Sequence, residues 1–126
     1  MDLSLTDEQN MLKTAAADFL DQELPKERAR ELFESETGFA ADLWEKIGQM
    51  GWASMLIPPE FGGQGAALTT TGVLYEEMGA RLCPSPHLSS AVLSALTILN
   101  AGSDDQKQDL LPPIARGDQI VAFAFT

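Results

Sequence analysis

The sequence holds one cysteine, Cys83, and one histidine, His87, among 126 residues. That stock cannot build an intrachain disulfide or a cysteine-ligated zinc site, so no metal site is expected. Cys83 and His87 are four positions apart, but Pro84 and Pro86 intervene and break helical i,i+4 geometry. A buried, inert thiol and a histidine at a helix start are therefore expected rather than a catalytic thiolate–imidazole pair. Positive charge is also scarce, with eight Lys and Arg against nineteen Asp and Glu and a net charge of −11. Nucleic acid and anionic membrane surfaces both require clustered cations, so neither is an expected partner. No apolar run approaches the ~20 residues of a membrane span. The acidic start Met1-Asp2-Leu3-Ser4 is unlike a secretory leader, and a cytoplasmic protein is expected.

What is present is enough apolar residue, 44%, for one domain with a core. Its centre of interest is Ile57-Pro58-Pro59-Glu60-Phe61-Gly62-Gly63-Gln64-Gly65. The prolines fix φ and withhold amide donors, and the glycines reach conformations that strain other residues. This Gly-rich stretch has neither the Gly-Lys-Ser/Thr ending of a phosphate loop nor a G-x-G-x-x-G fingerprint after a strand, so it is expected to be a rigid turn.

Helical patterns flank the turn. Thr6-Asp7-Glu8-Gln9 fits a capping box ahead of Met11, Leu12, Ala15, Ala16, Phe19 and Leu20, with Pro25 as the stop. Residues 26–36 are charge-rich and predict a short surface helix or loop. Phe39, Leu43, Ile47 and Met50 predict a helix ending near Gly51, with Trp44 and Trp52 as core anchors. Thr69, Thr70 and Thr71 are N-cap candidates for a helix burying Leu74, Met78 and Leu82 and stopped by Pro84. Residues 87–100 are apolar nearly all round and predict a central buried helix that includes Leu96. Gly102 suits a helix C′ position, Ser103-Asp104-Asp105-Gln106 a second capping box, and Pro112-Pro113 should kink or shorten the last helix. Finally, Ile120-Val121-Ala122-Phe123-Ala124-Phe125-Thr126 is β-rich and uncharged, and it predicts a buried strand. No upstream segment could pair with it, and an unpaired buried strand leaves amides and carbonyls unsatisfied. The chain is accordingly expected to be a fragment: an all-α domain of five to six helices over residues 1–118, then the first strand of a truncated β-domain at 119–126.

The order of these elements resembles the acyl-CoA dehydrogenases. The resemblance runs along essentially the whole chain: Leu5-Thr6-Asp7-Glu8-Gln9, Trp44-Glu45-Lys46-Ile47-Gly48 followed by Gly51-Trp52, and the Pro/Gly turn at 57–65. It continues through Tyr75-Glu76-Glu77-Met78-Gly79, Ala101-Gly102-Ser103-Asp104-Asp105-Gln106-Lys107 and Phe123-Ala124-Phe125-Thr126. The resemblance implies a helical N-terminal domain followed by a β-barrel and a second helical domain. It further implies bound FAD, a dimer or tetramer of like or unlike subunits, and oxidation of an acyl-CoA thioester to the 2,3-enoyl-CoA. Electrons would pass to an electron-transfer flavoprotein. The family's catalytic glutamate belongs to the second helical domain, so none is expected here; Glu76 and Glu77 do not occupy its place and are expected on a solvated or ion-paired face.

By that resemblance Phe123, Phe125 and Thr126 match the first flavin-contacting strand, and Ser85, Ser89 and Leu93 would line the acyl pocket. The small residues there would admit a bulky, branched or ring-bearing acyl group, and the resemblance implies fatty-acid or sterol side-chain degradation. The coenzyme's phosphates would need cations from elsewhere in a larger assembly. The fragment alone is expected to be inactive. Two alternatives stand beside this one: a non-catalytic helical subunit pairing with a complete dehydrogenase, and the same fold running acyl-CoA oxidase or nitroalkane oxidase chemistry.

Overall fold

In a computed structural model, which describes residues 4–124, the chain is all-α, with six α-helices and no strand among the described residues. The helices are α1 (Asp7–Glu23), α2 (Lys26–Phe33), α3 (Ala41–Gln49), α4 (Leu68–Ala80), α5 (Ala95–Ala101) and α6 (Asp104–Ala115). They fall into two compact units, one formed by residues up to Gly38 with Leu68–Pro84, the other by Phe39–Ala67 with the residues from Ser85 onward.

The first unit contains α1, α2 and α4. The capping box forms as expected: Thr6 Oγ1 accepts the Gln9 amide at 3.2 Å, and Gln9 Oε1 accepts the Thr6 amide at 3.0 Å. α1 buries Ala16 and Leu20, but Met11, expected on the same face, is exposed. α4 buries Thr71, Val73, Leu74 and Met78. It starts at Leu68, so the three threonines lie inside the helix rather than at its N-cap. The helix also ends earlier than Pro84. Leu82 turns left-handed at φ 52° and is 81% exposed instead of joining the buried face.

In the second unit α3 buries Leu43, Trp44 and Ile47. Trp44 Nε1 donates to the Gly117 carbonyl at 2.9 Å, which ties α3 to the turn after α6. Both tryptophans are core anchors. The Pro/Gly turn holds a short 3-10 turn at Pro59–Phe61 and is stitched by Gln64 N–H to Ser54 O, Gly65 N–H to Ile57 O and Ala66 N–H to Met55 O. Ile57 and Phe61 then pack with Ala95, Leu111, Ile114 and Ala115.

The segment expected as one central helix is a π-helix, Leu88–Ser94, running into α5. It is buried on one side only: Leu88 and Leu93 are exposed and Leu96 is half-buried, because no described element of the unit covers that face. Gly102 ends α5 in extended rather than left-handed geometry; glycine is needed because a Cβ would lie 2.6 Å from the Ile98 carbonyl oxygen. Ser103 and Gln106 form the second capping box, and α6 continues through Pro112 and Pro113, held by buried Leu111 and Ile114.

Candidate functional site

The stretch expected as a buried strand is neither buried nor paired within its described part. Residues 119–124 have no regular secondary structure, with Ile120 and Phe123 exposed, and Val121 packs against the core. A strand needs a neighbouring backbone, and here side-chain hydroxyls take that role. Val121 N–H donates to Ser90 Oγ at 3.1 Å, and Ser94 Oγ donates to Val121 O at 3.0 Å. Ser90 Oγ also lies 3.5 Å from Gln119 O. Both serines come from the π-helix and are buried. Phe123 presents a partly open aromatic face; Phe125 and Thr126, the other two expected flavin contacts, lie outside the described residues.

Of the expected acyl-pocket residues, Ser89 and Leu93 sit on the same π-helix, and Ser85 lies in the irregular chain just before it. Ser85 and Ser89 are partly exposed and Leu93 is open. The Ser89 hydroxyl donates to Pro86 O at 3.1 Å, and the Ser85 hydroxyl accepts the His87 amide at 3.4 Å. The π-helix thus carries the hydroxyls that hold the 119–121 backbone and, on its accessible side, Ser89 and Leu93, two of the three residues expected to meet the acyl group.

His87 starts this stretch and is fully buried, with Nε2 2.9 Å from the Trp52 carbonyl oxygen. A carbonyl only accepts, so Nε2 carries the proton. Burial holds the imidazolium pKa below its ordinary value, with the Trp52 bond as a smaller opposing effect, and the ring is a neutral structural donor. Cys83 belongs to the other unit, and burial pushes its thiol up to about 11, which leaves little thiolate near neutral pH. Neither group behaves as half of a nucleophilic pair.

Glu76 and Glu77 lie on α4 in ion pairs. Lys13 Nζ is 3.3 Å from Glu76 Oε2, and Arg81 donates to Glu77 Oε2 at 2.6 Å and to Asp21 Oδ1 at 2.6 Å. The Arg81 hydrogen bond holds the Asp21 carboxyl below its ordinary value, with a partly opposing desolvation effect. This is the ion-paired face expected of them. Among the described residues no group of three His, Cys, Asp or Glu side chains gathers as a metal site, and no helix is long and apolar enough to cross a membrane.

One feature escaped sequence reasoning. The first unit contains an apolar groove of about 540 Å³ between the ends of α1 and α4 and the length of α2. Leu24, Ala29, Phe33 and Leu82 line it, with Lys26 and Arg30 on its wall, and Phe33 is 85% exposed. Its sequence trace was the charge-rich stretch from Lys26, which supplies Lys26 and Arg30, because the left-handed turn at Leu82 on one wall has no glycine to mark it.

Residues 6–118 match the family described as acyl-CoA dehydrogenase, N-terminal domain. The chain belongs to the acyl-CoA dehydrogenase family. Among its relatives, acryloyl-CoA reductase (NADH) of Anaerotignum propionicum is 35% identical over 127 residues, covering 100% of this chain and 32% of that protein. Acyl-CoA dehydrogenase IpdE2 of Mycolicibacterium smegmatis is 32% identical over 122 residues, covering 96% and 38%. The ChsE4-ChsE5 complex from Mycobacterium tuberculosis superposes with a TM-score of 0.87 at 28% identity, covering 97% of this chain and 34% of that one. A Tcur3481-Tcur3483 steroid acyl-CoA dehydrogenase variant superposes at 0.82 with 28% identity, covering 92% and 32%. This acyl-CoA dehydrogenase chain therefore spans about a third of the length of the relatives it matches.

Proposed function

We propose that this chain is the N-terminal helical domain of an FAD-dependent acyl-CoA dehydrogenase, over residues 1–118, with 119–126 opening a β-domain. The whole protein would oxidise an acyl-CoA thioester to the 2,3-enoyl-CoA and pass electrons to an electron-transfer flavoprotein. One observation carries the reading: a single π-helix, Leu88–Ser94, fixes the 119–121 backbone through Ser90 and Ser94 and exposes Leu93 beside partly open Ser89. A flavin edge and an acyl wall would thereby share one element.

The residues fit FAD in part. Phe123 offers an aromatic face to an isoalloxazine ring, with Phe125 and Thr126 as the further contacts. Residues 119–124 carry no cation, so the pyrophosphate must be held by other groups, as must the phosphates of coenzyme A. When bound, the flavin supplies the hydride acceptor. The role of this domain is to wall the acyl group with Ser85, Ser89 and Leu93 and to exclude water from it. No catalytic residue is assigned here.

Small side chains at Ser85 and Ser89 favour a bulky, branched or ring-bearing acyl group, and a steroid acyl-CoA dehydrogenase among the structural neighbours supports this. The protein is expected in the cytoplasm as a homo- or hetero-oligomer, dimer or tetramer, a reading supported by the ChsE4-ChsE5 complex and by the exposed Phe33 and Leu82 at the groove. Those exposed residues also favour a second reading, a non-catalytic helical subunit that pairs with a complete dehydrogenase.

The test is anaerobic titration of the intact flavin-loaded protein with straight-chain and cyclic acyl-CoAs, followed at the flavin absorption band. Bleaching by the cyclic thioesters, then reoxidation by electron-transfer flavoprotein, is expected. A clear preference for straight chains removes the bulky-substrate assignment, and rapid reoxidation by oxygen alone assigns an oxidase. A purified protein that takes up no flavin transfers the conclusion to the pairing subunit.

A further inference from the structure

The hydrogen bonds between the π-helix and the terminal segment form a register lock. Val121 has both its N–H and its C=O turned toward the helix, met by an acceptor at Ser90 and a donor at Ser94. The single Ser94 proton is shared with Ser89 O, 2.7 Å away, so this hydroxyl also knits the π-helix itself. Ser90 and Ser94 are 0% and 3% exposed in an otherwise apolar neighbourhood that includes Ala91, Val92 and Ala95. Alanine would satisfy the packing there; the Ser90 hydroxyl bonds only to the 119–121 segment, and the Ser94 hydroxyl divides its bonding between that segment and Ser89 O. A slip of one residue would take Val121 off its contact with the core and displace Phe123, two residues on, along with it.

We propose that Ser90 and Ser94 are positioning residues, which lock the register of residues 119–121 and so set where Phe123 meets the flavin. The flavin half of this statement rests on the function proposed above; the lock rests on the hydrogen bonds alone. The two serines are buried and act through the Val121 backbone.

The test uses Ser90→Ala and Ser94→Ala, with Thr97→Ala as control, since the Thr97 hydroxyl bonds Leu93 O on the open side of the helix. Amide exchange across residues 119–124 of the full chain reads the lock. Flavin absorption and midpoint potential in the intact flavin-loaded protein read the positioning, which a merely stabilising role would not move. Loss of one hydrogen bond should speed Val121 exchange about tenfold in Ser90→Ala, with a shifted flavin band and potential and little change in Thr97→Ala. Ser94→Ala, which keeps the Val121 N–H bond, serves if Ser90→Ala fails to fold. Unchanged Val121 exchange in both serine variants overturns the lock. Faster exchange with an unaltered flavin band and potential overturns the positioning role. Absence of flavin from the wild-type protein overturns the flavin half together with the proposed function, while the exchange result still decides the lock.

Discussion

Gly63→Ala isolates the feature that gives the Pro/Gly turn its sequence. A Cβ built on Gly63 falls 1.8 Å from the Ile57 carbonyl oxygen and 2.6 Å from the Ile57 Cβ. Ordinary carbon–oxygen contact begins near about 3.3 Å, so the loop must open by roughly 1.5 Å. The Ile57 carbonyl belongs to a backbone pinned by three bonds: Gly63 N–H to Pro58 O at 3.1 Å, Gln64 N–H to Ser54 O at 3.0 Å and Gly65 N–H to Ile57 O at 2.9 Å. At about 1 kcal/mol each, their loss costs ~3 kcal/mol, and displacing Ile57 and Phe61 from the core raises the total to ~3–5 kcal/mol. That is a large part of the ~5–15 kcal/mol a domain has. Gly62→Ala is the internal comparison: Gly62 has φ 83° but nothing within 4 Å of its Cβ position, so only left-handed strain applies, ~1–2 kcal/mol. Urea denaturation followed by the fluorescence of Trp44 and Trp52, both buried in the same unit as the turn, measures the two. Equal losses, or a milder loss for Gly63→Ala, would refute the close-approach argument and leave backbone conformation as the reason for both glycines.

Three further outcomes are expected. Thr71 Oγ1 is buried without a hydrogen-bond partner among the described residues, so Thr71→Val should raise stability by ~1 kcal/mol; a loss in thermal melting would show that the hydroxyl is engaged. Because His87 is held neutral, with its folded pKa below 6.5, the unfolded chain binds the extra proton first as pH falls. Stability from this group is complete above pH 6.5 and declines as pH drops toward the folded value, and His87→Gln should flatten that part of the urea-midpoint profile. With its thiol pushed up to about 11, Cys83 should react with a disulfide reagent at pH 8 far more slowly than a free cysteine peptide; equal rates would contradict the burial.

The elements most legible in the sequence were those governed by interactions within four residues. Thr6 with Gln9 and Ser103 with Gln106 specify helix starts because the cap and its partner lie in one turn of chain, and both capping boxes form. Pro58, Pro59 and Gly62 likewise interrupt the helical pattern by their own φ preferences, and the interruption stands where expected. Legibility fell where the deciding neighbour is remote. Leu82 and Leu93 have the right spacing for burial and are exposed, because spacing defines a face and another segment must cover it. Thr69 and Thr71 are good caps in isolation, yet Thr71 is spent inside α4 against the core.

At the candidate site, the identities of Ser85, Ser89, Leu93 and Phe123 could be marked from the sequence through a family resemblance. Only the tertiary structure revealed Ser90 and Ser94 as the groups that hold residues 119–121, because a hydroxyl buried in an apolar helix declares its partner only when the chain some thirty residues later returns beside it. The sequence by itself determined the two capping boxes and the interruption from Pro58 to Gly62, since those rest on local dihedrals and caps, whereas α4 begins and ends off its expected signals and α6 runs through Pro112 and Pro113. The choice of which apolar face is covered, and the opening of the groove beside Phe33, was left to tertiary packing, since burial belongs to pairs of segments and not to either one alone.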